Sequence, residues 1–217
     1  MTDNGFTITA EYHSLIDALH DEEVQLEALI QEMESFAPSE LNLAEGKDPK
    51  AIFFNRYYRR INNLSTKIIL LSSSVIEACI NLYLAMVIDE IGEYELFNDI
   101  EKMDLLKKWV VLPRLFNQDY KFDKSGQLYE QLRMLKKKRD AFSHYKISLE
   151  RGGKKVLKGS DHPHPGSTYT EQANLLMEYT SLPRRLVKHL IDSGRLGPSV
   201  YSQLHLLYIS LHKPTRK

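Results

Sequence analysis

The sequence predicts an all-α protein, and three observations carry that reading. Apolar residues recur at spacings of three, four and seven in several segments, the signature of amphipathic helices. A run from about Lys50 to Ile91 contains neither proline nor glycine. Clusters of Gly, Pro, Asn and Asp fall between the periodic runs, where loops are expected.

Residues 1–9 are expected to be loose. From about Tyr12 to Phe36, Leu15, Leu19, Leu26, Leu29, Ile30 and Met33 define one apolar face of a first helix. Ala37-Pro38 stops it, because the residue before a proline is pushed out of the helical region. Residues 38–49 hold Ser, Asn, Gly, Asp and Pro and read as a loop. The long helix that follows carries Tyr57, Tyr58, Arg59 and Arg60 in its first half and is nearly all apolar in its second. Gly92 ends or kinks it.

Residues 93–111 give one or two shorter helices closed near Pro113, and residues 117–126 a polar loop. A helix from about Gln127 to His144 has Leu128, Leu132, Leu135 and Phe142 on its inner side. Two short alternating runs flank Gly152-Gly153, so residues 146–158 predict a small β-hairpin. Residues 159–167 form a loop, and helices follow at about 169–192 and 199–211. Pro183 is expected to kink or split the first of these. In domain terms, residues 1–49 supply an N-terminal helix and loop packed on a helical domain of residues 50–217.

Composition bounds the function. Of 217 residues, 42% are hydrophobic and 27% charged, which suits a globular chain with a real core. The formal net charge is zero, so any nucleic-acid contact must come from a local basic patch. Cys79 is the single cysteine, which rules out an internal disulfide and a zinc finger built on cysteine pairs. It is expected to be inert packing. Ile68 to Ile88 is 21 residues long with Glu77 as its one charge. Ser72, Ser73, Ser74, Asn81 and a central carboxylate argue for a buried core helix and not a membrane span. The first five residues show no basic region before an apolar run, so no signal peptide is expected and a cytoplasmic location fits.

The candidate chemistry lies in Arg139-Asp140-Ala141-Phe142-Ser143-His144. Spacing alone does not select it. With 11 arginines and 8 histidines, about one Arg followed by His with four to six residues between arises by chance, and Arg184 and His189 share the spacing of four. Context separates the two: Asp140 follows Arg139, whereas Arg185 follows Arg184, and Lys136, Lys137 and Lys138 precede Arg139. Upstream, Ser74-Val75-Ile76-Glu77-Ala78-Cys79-Ile80-Asn81 places a carboxylate and an asparagine four residues apart on the long helix.

Together these residues resemble the RNA-cleaving motif of the HEPN superfamily, with its small polar residue after the arginine and its acidic residue and asparagine on an earlier core helix. The resemblance covers about residues 55–145 and the C-terminal helix. It implies a HEPN-like helical bundle and a metal-independent endoribonuclease cleaving single-stranded RNA, with no cofactor and no metal. It further implies a homodimer in which two motifs meet across a cleft, a role as toxin or antiviral defence effector, and a neutralising or regulatory partner protein. One HEPN group carries a modified tyrosine two places after the histidine. Here that place holds Lys146, so Tyr145, which follows His144 directly, does not inherit that role and is kept only as a supporting residue.

The residue types suit the chemistry. Histidine, with a pKa of about 6.5, moves protons near neutral pH. Arginine stays charged and forks onto phosphate oxygens. Asp140 is placed to orient either one, and Lys136, Lys137 and Lys138 to contact RNA. The resemblance implies products ending in a 2′,3′-cyclic phosphate and a 5′-hydroxyl. Five residues at about 100° each put Arg139 and His144 about 140° apart on a straight helix. Either the helix bends or ends before His144, or the site is assembled from more than one chain.

Plainer readings stand beside these. Cations near a helix C-terminus are favoured by the helix dipole in any case, and a lysine run is often a solvated face. A non-catalytic HEPN-like module that binds RNA, a nucleotide or a protein is the main alternative, and a purely structural helical partner a third. Tyr57 and Tyr58 beside Arg56, Arg59 and Arg60 could stack bases, but core packing is expected. His162 and His164 lack the companions of a metal site. Glu77 must find a partner, either an arginine near the site or a neighbouring helix.

Overall fold

The computed structural model describes residues 11–35, 49–143, 150–151, 154–155, 169–193 and 196–212. They are helical throughout except for loops and one pair of two-residue strands. The order is α1 (Glu11–Glu34), α2 (Pro49–Ile91), α3 (Tyr94–Glu101), α4 (Leu105–Val110), α5 (Leu112–Phe116), α6 (Gln127–Ser143), β1 (Glu150–Arg151), β2 (Lys154–Lys155), α7 (Tyr169–Asp192) and α8 (Pro198–Ser210).

The long helix α2 is the axis of the fold. Its buried positions begin as a single stripe, Tyr57, Ile61, Leu64 and Ile68, at spacings of four, three and four. From Ile68 onward they come in adjacent pairs, Ile68/Ile69, Val75/Ile76, Cys79/Ile80, Tyr83/Leu84 and Val87/Ile88. The widened stripe lets α2 be covered on several sides at once. Each such side chain contributes roughly 1.5–3 kcal/mol through burial. Among the described residues α2 is the helix long and apolar enough to cross a membrane; here those side chains form the core. Gly92, at φ 75°, ends it in the left-handed region where glycine meets no Cβ penalty.

Helix α1 lies antiparallel to α2. Ile16, Leu19, Leu26, Leu29 and Met33 are buried, while Leu15 and Ile30 flank that stripe half-buried. Its polar edge is pinned by Lys67 to Glu22 at 2.7 Å, and by Arg56 and Arg60 to the two oxygens of Glu32 at 2.7 and 2.5 Å. Helix α7 completes the core with Leu176, Tyr179, Leu182, Leu186, Val187 and Leu190. One continuous core therefore includes α1 as well as the later helices.

Two expectations are refined and one is corrected. Helix α7 is continuous through Pro183, so of a kink or a split the split does not occur. An interior proline costs about 3 kcal/mol, but Leu182, Leu186 and Val187 are wholly buried around it and hold both halves in the core. The two shorter helices within residues 93–111 end at Val110, near Pro113 as expected, and Pro113 itself sits in the first turn of the further short helix α5, where its missing N–H has no helical partner to lose. Phe142 is 40% exposed. It lies on the Leu135 side by helical angle, yet among the described residues the apolar cluster does not extend to the end of α6.

Within the predicted hairpin region, β1 and β2 pair antiparallel, with Glu150 opposite Lys155 and Arg151 opposite Lys154. The rest of residues 146–158, the segments 38–48 and 159–167 expected to be loops, and residues 1–9 lie outside the described residues, as do His162 and His164.

Candidate functional site

Arg139 and Asp140 sit near the C-terminal end of α6, where it faces α2 and α4. Arg139 donates from Nε and Nη2 to Asp140 Oδ1, at 3.1 and 2.9 Å. Its Nη1 donates to Glu77 Oε2 of α2 at 3.4 Å. The partner that Glu77 requires is therefore an arginine of the candidate motif. Among the described residues, three of the five guanidinium N–H donors are engaged in this way. The Arg139 side chain keeps 27% of its surface exposed.

Glu77 has a second, deeper partner. Its Oε1 accepts from Lys108 Nζ at 3.1 Å, and the same ammonium donates to Asn81 Oδ1 at 3.0 Å. Lys108 is wholly buried. The spacing of four between Glu77 and Asn81 puts both acceptors on one face of α2, where a single ammonium reaches both. A buried ammonium without such partners would be prohibitively costly.

On the other side of Arg139, Asp140 Oδ2 accepts from Lys136 Nζ at 2.6 Å. Lys136 Nζ also lies 3.2 Å from Asp104 Oδ2. Asp104 caps α4 by accepting from the Leu106 N–H at 3.0 Å. Burial pushes the Asp140 carboxyl up, but hydrogen bonds from Lys136 and Arg139 outweigh it and hold it below the ordinary carboxylate range. A carboxylate so near a helix C-terminus is disfavoured by the dipole, and these two cations offset that. Hydrogen bonding to Asp140 holds the Lys136 ammonium above its ordinary value in turn.

The three lysines before the motif have different environments, since successive helical residues point about 100° apart. Lys136 is half-buried in the pairs above, Lys137 is exposed, and Lys138 is half-buried. Burial, then the neighbouring Lys137, lowers the Lys138 pKa. His144 and Tyr145 lie outside the described residues.

The second Arg-to-His match has another character. His189 packs edge-on between Tyr120 and Phe122, at centroid distances of 5.4 and 5.1 Å, and its Nε2 lies 3.1 Å from the Lys121 carbonyl. Burial pushes its pKa down, against the opposing pull of the Lys121 carbonyl and Asp192. Arg185 donates to Gln131 Oε1 at 2.6 Å, and Gln131 donates to Glu178 Oε2 at 2.7 Å, tying α6 to α7. Tyr57 is buried, with its ring 5.5 Å from the Arg56 guanidinium carbon, whereas Tyr58 is 43% exposed. Cys79 is buried and its thiol is pushed up to about 12 by burial. Among the described residues no three His, Cys, Asp or Glu side chains gather in a group fit to hold a metal ion.

Sequence reasoning missed Lys108 and Asp104, although both left a signal. Leu105, Lys108, Trp109 and Leu112 fall at spacings of three, four and seven, so Lys108 occupies an apolar-face position. Asp104 immediately precedes that apolar run, the position of an N-cap. No protein-family model, curated protein or solved structure matches this chain.

Proposed function

We propose that the chain is a metal-independent endoribonuclease of HEPN type that cleaves single-stranded RNA on a HEPN-like bundle. In this reading it acts in the cytoplasm as a toxin or antiviral defence effector. His144 is the acid/base group, Arg139 the phosphate clamp and Asp140 the residue that orients the clamp. Exposed Lys137 makes first contact with RNA, with Lys136 and Lys138 beside it. The observation that supports this is the state of Arg139. It is gripped from two sides by Glu77 and Asp140, which fix its direction, while a quarter of its side chain stays open to solvent. A guanidinium held in advance stabilises developing phosphate charge without reorganising during the reaction.

Two motifs from two protomers form the cleft, so a homodimer is expected, and a monomer in sedimentation at micromolar concentration counts against the mechanism. A neutralising or regulatory protein would act by covering that cleft. The deciding experiment incubates the purified chain with single-stranded RNA in EDTA. Cleavage that disappears in Arg139→Ala and His144→Ala, with RNA binding retained, supports the assignment. Unchanged cleavage in both variants refutes it.

One observation favours the alternative, a non-catalytic HEPN-like module. Lys108, Lys136 and Arg139 are matched one for one by Glu77, Asp104 and Asp140, so the cluster is already neutral. RNA binding without cleavage in wild type would establish that reading.

A further inference from the structure

Arg139 is connected to the short helix α4 by two separate routes. One runs through Glu77 to Lys108. The other runs through Asp140 and Lys136 to Asp104. Asp104 and Lys108 stand four residues apart, at the cap and on the buried side of that one helix. The two routes therefore close into a ring of alternating charge, with α4 on one side and the guanidinium on the other.

We propose that α4 is a brace that sets the position of the Arg139 guanidinium, with Lys108 and Asp104 as its positioning residues. Lys108 acts by fixing the Glu77 carboxylate, and Asp104 by fixing Lys136 and, through it, Asp140. The brace itself is immobilised. Trp109, next to Lys108, is wholly buried, and the buried Tyr120 hydroxyl donates to the Trp109 carbonyl at 2.8 Å. Lys108 has no solvent into which to swing, so its ammonium is a stationary anchor. A lone Glu77–Arg139 pair, partly exposed and 3.4 Å apart, would hold direction poorly. Anchoring the opposite carboxylate oxygen on Lys108 removes that freedom. Asp104 does the same at the other end, because its cap to Leu106 fixes the carboxylate that receives Lys136.

The catalytic consequence rests on reading Arg139 as the phosphate clamp; the positioning does not. Two variants of the full chain separate the effects. Lys108→Met keeps a buried stem and removes the charge. Asp104→Asn keeps a side-chain acceptor for the Leu106 N–H and removes the charge. The readouts are hydrogen exchange at the Arg139 Nε–H, assigned by its loss in Arg139→Lys, exchange at the Leu132 amide, and kcat and KM on single-stranded RNA.

The brace predicts Nε–H exchange several-fold faster in both variants, with the Leu132 amide unchanged. It also predicts kcat lower by on the order of 100-fold, the cost of misplacing a reacting group, with KM little changed. Nε–H exchange equal to wild type in both variants overturns the brace, even if cleavage falls. Faster exchange that Leu132 shares in both variants also overturns it, since that is general loosening. If wild type cleaves no RNA, the endoribonuclease reading falls, and Nε–H exchange still decides the brace.

Discussion

Lys108 and Arg139 hold opposite oxygens of one carboxylate: Glu77 accepts from Lys108 Nζ at Oε1, 3.1 Å away, and from Arg139 Nη1 at Oε2, 3.4 Å away. The ammonium is inside the protein and the guanidinium at its rim. Glu77 therefore transmits the rigidity of the core to a partly exposed cation. It is also the reason a carboxylate is tolerated in the apolar half of α2.

Stability should report this arrangement. Lys108→Ala removes a wholly buried stem and leaves Glu77 without its inner cation. Glu77 keeps 38% of its side-chain surface exposed, so it rehydrates in part. The expected loss is about 2–3 kcal/mol, below the full cost of breaking a buried pair. Lys108→Met, which keeps the volume, should cost about 1 kcal/mol or less. Urea denaturation of the two variants checks this, and equal losses would contradict a role for the stem.

The Asp140–Lys136 pair predicts a two-sided pH dependence. Asp140 is held below its ordinary value in the folded state. Its stabilising contribution is present above the unfolded value of about 3.9 and is lost as pH falls through the lower folded one. Lys136 is held above its ordinary value. Its contribution is present below about 10.4 and is lost as pH rises through the higher folded value. The stability gap between wild type and Asp140→Asn should be flat between these limits, close at the acid end, and narrow at the alkaline end to the part that Arg139, which stays charged, maintains. A gap that stays constant from acid to alkaline pH would contradict the pairing.

His189 should behave as packing. Burial lowers its pKa, against the opposing pull of the Lys121 carbonyl and Asp192. Its NMR titration midpoint should lie below about 6.5, the ordinary value. Its contribution to stability is then present above that value and lost as pH falls. His189→Ala should lose stability and keep RNA cleavage. A midpoint above the ordinary value, or loss of cleavage in a folded variant, would reopen Arg184–His189 as a site.

Much of the fold is legible from helical periodicity. Leu19, Leu26, Leu29 and Met33 of α1 are read from spacing and are buried, because a single apolar stripe has one way to face a core. Phe142 shows where spacing fails, since angle places a residue on a side but says nothing of whether the core extends that far. At Pro183 the helix is not split, because the packing of Leu182, Leu186 and Val187 offsets a local penalty. At the candidate site, Glu77, Asn81, Arg139 and Asp140 are legible by residue type. Their pairing is not, because Glu77 and Arg139 stand 62 residues apart. Lys108 was passed over because a lysine on an apolar face reads as an interruption of the pattern, when it is the counter-charge that Glu77 demands.

Mapping the ends of the products that wild type and His144→Ala make from one single-stranded RNA in EDTA decides whether the chain is a HEPN-type endoribonuclease. Wild type should give fragments with 2′,3′-cyclic phosphate and 5′-hydroxyl ends, and His144→Ala none. Fragments with 5′-phosphate ends, or the same fragments from both proteins, would rule that activity out.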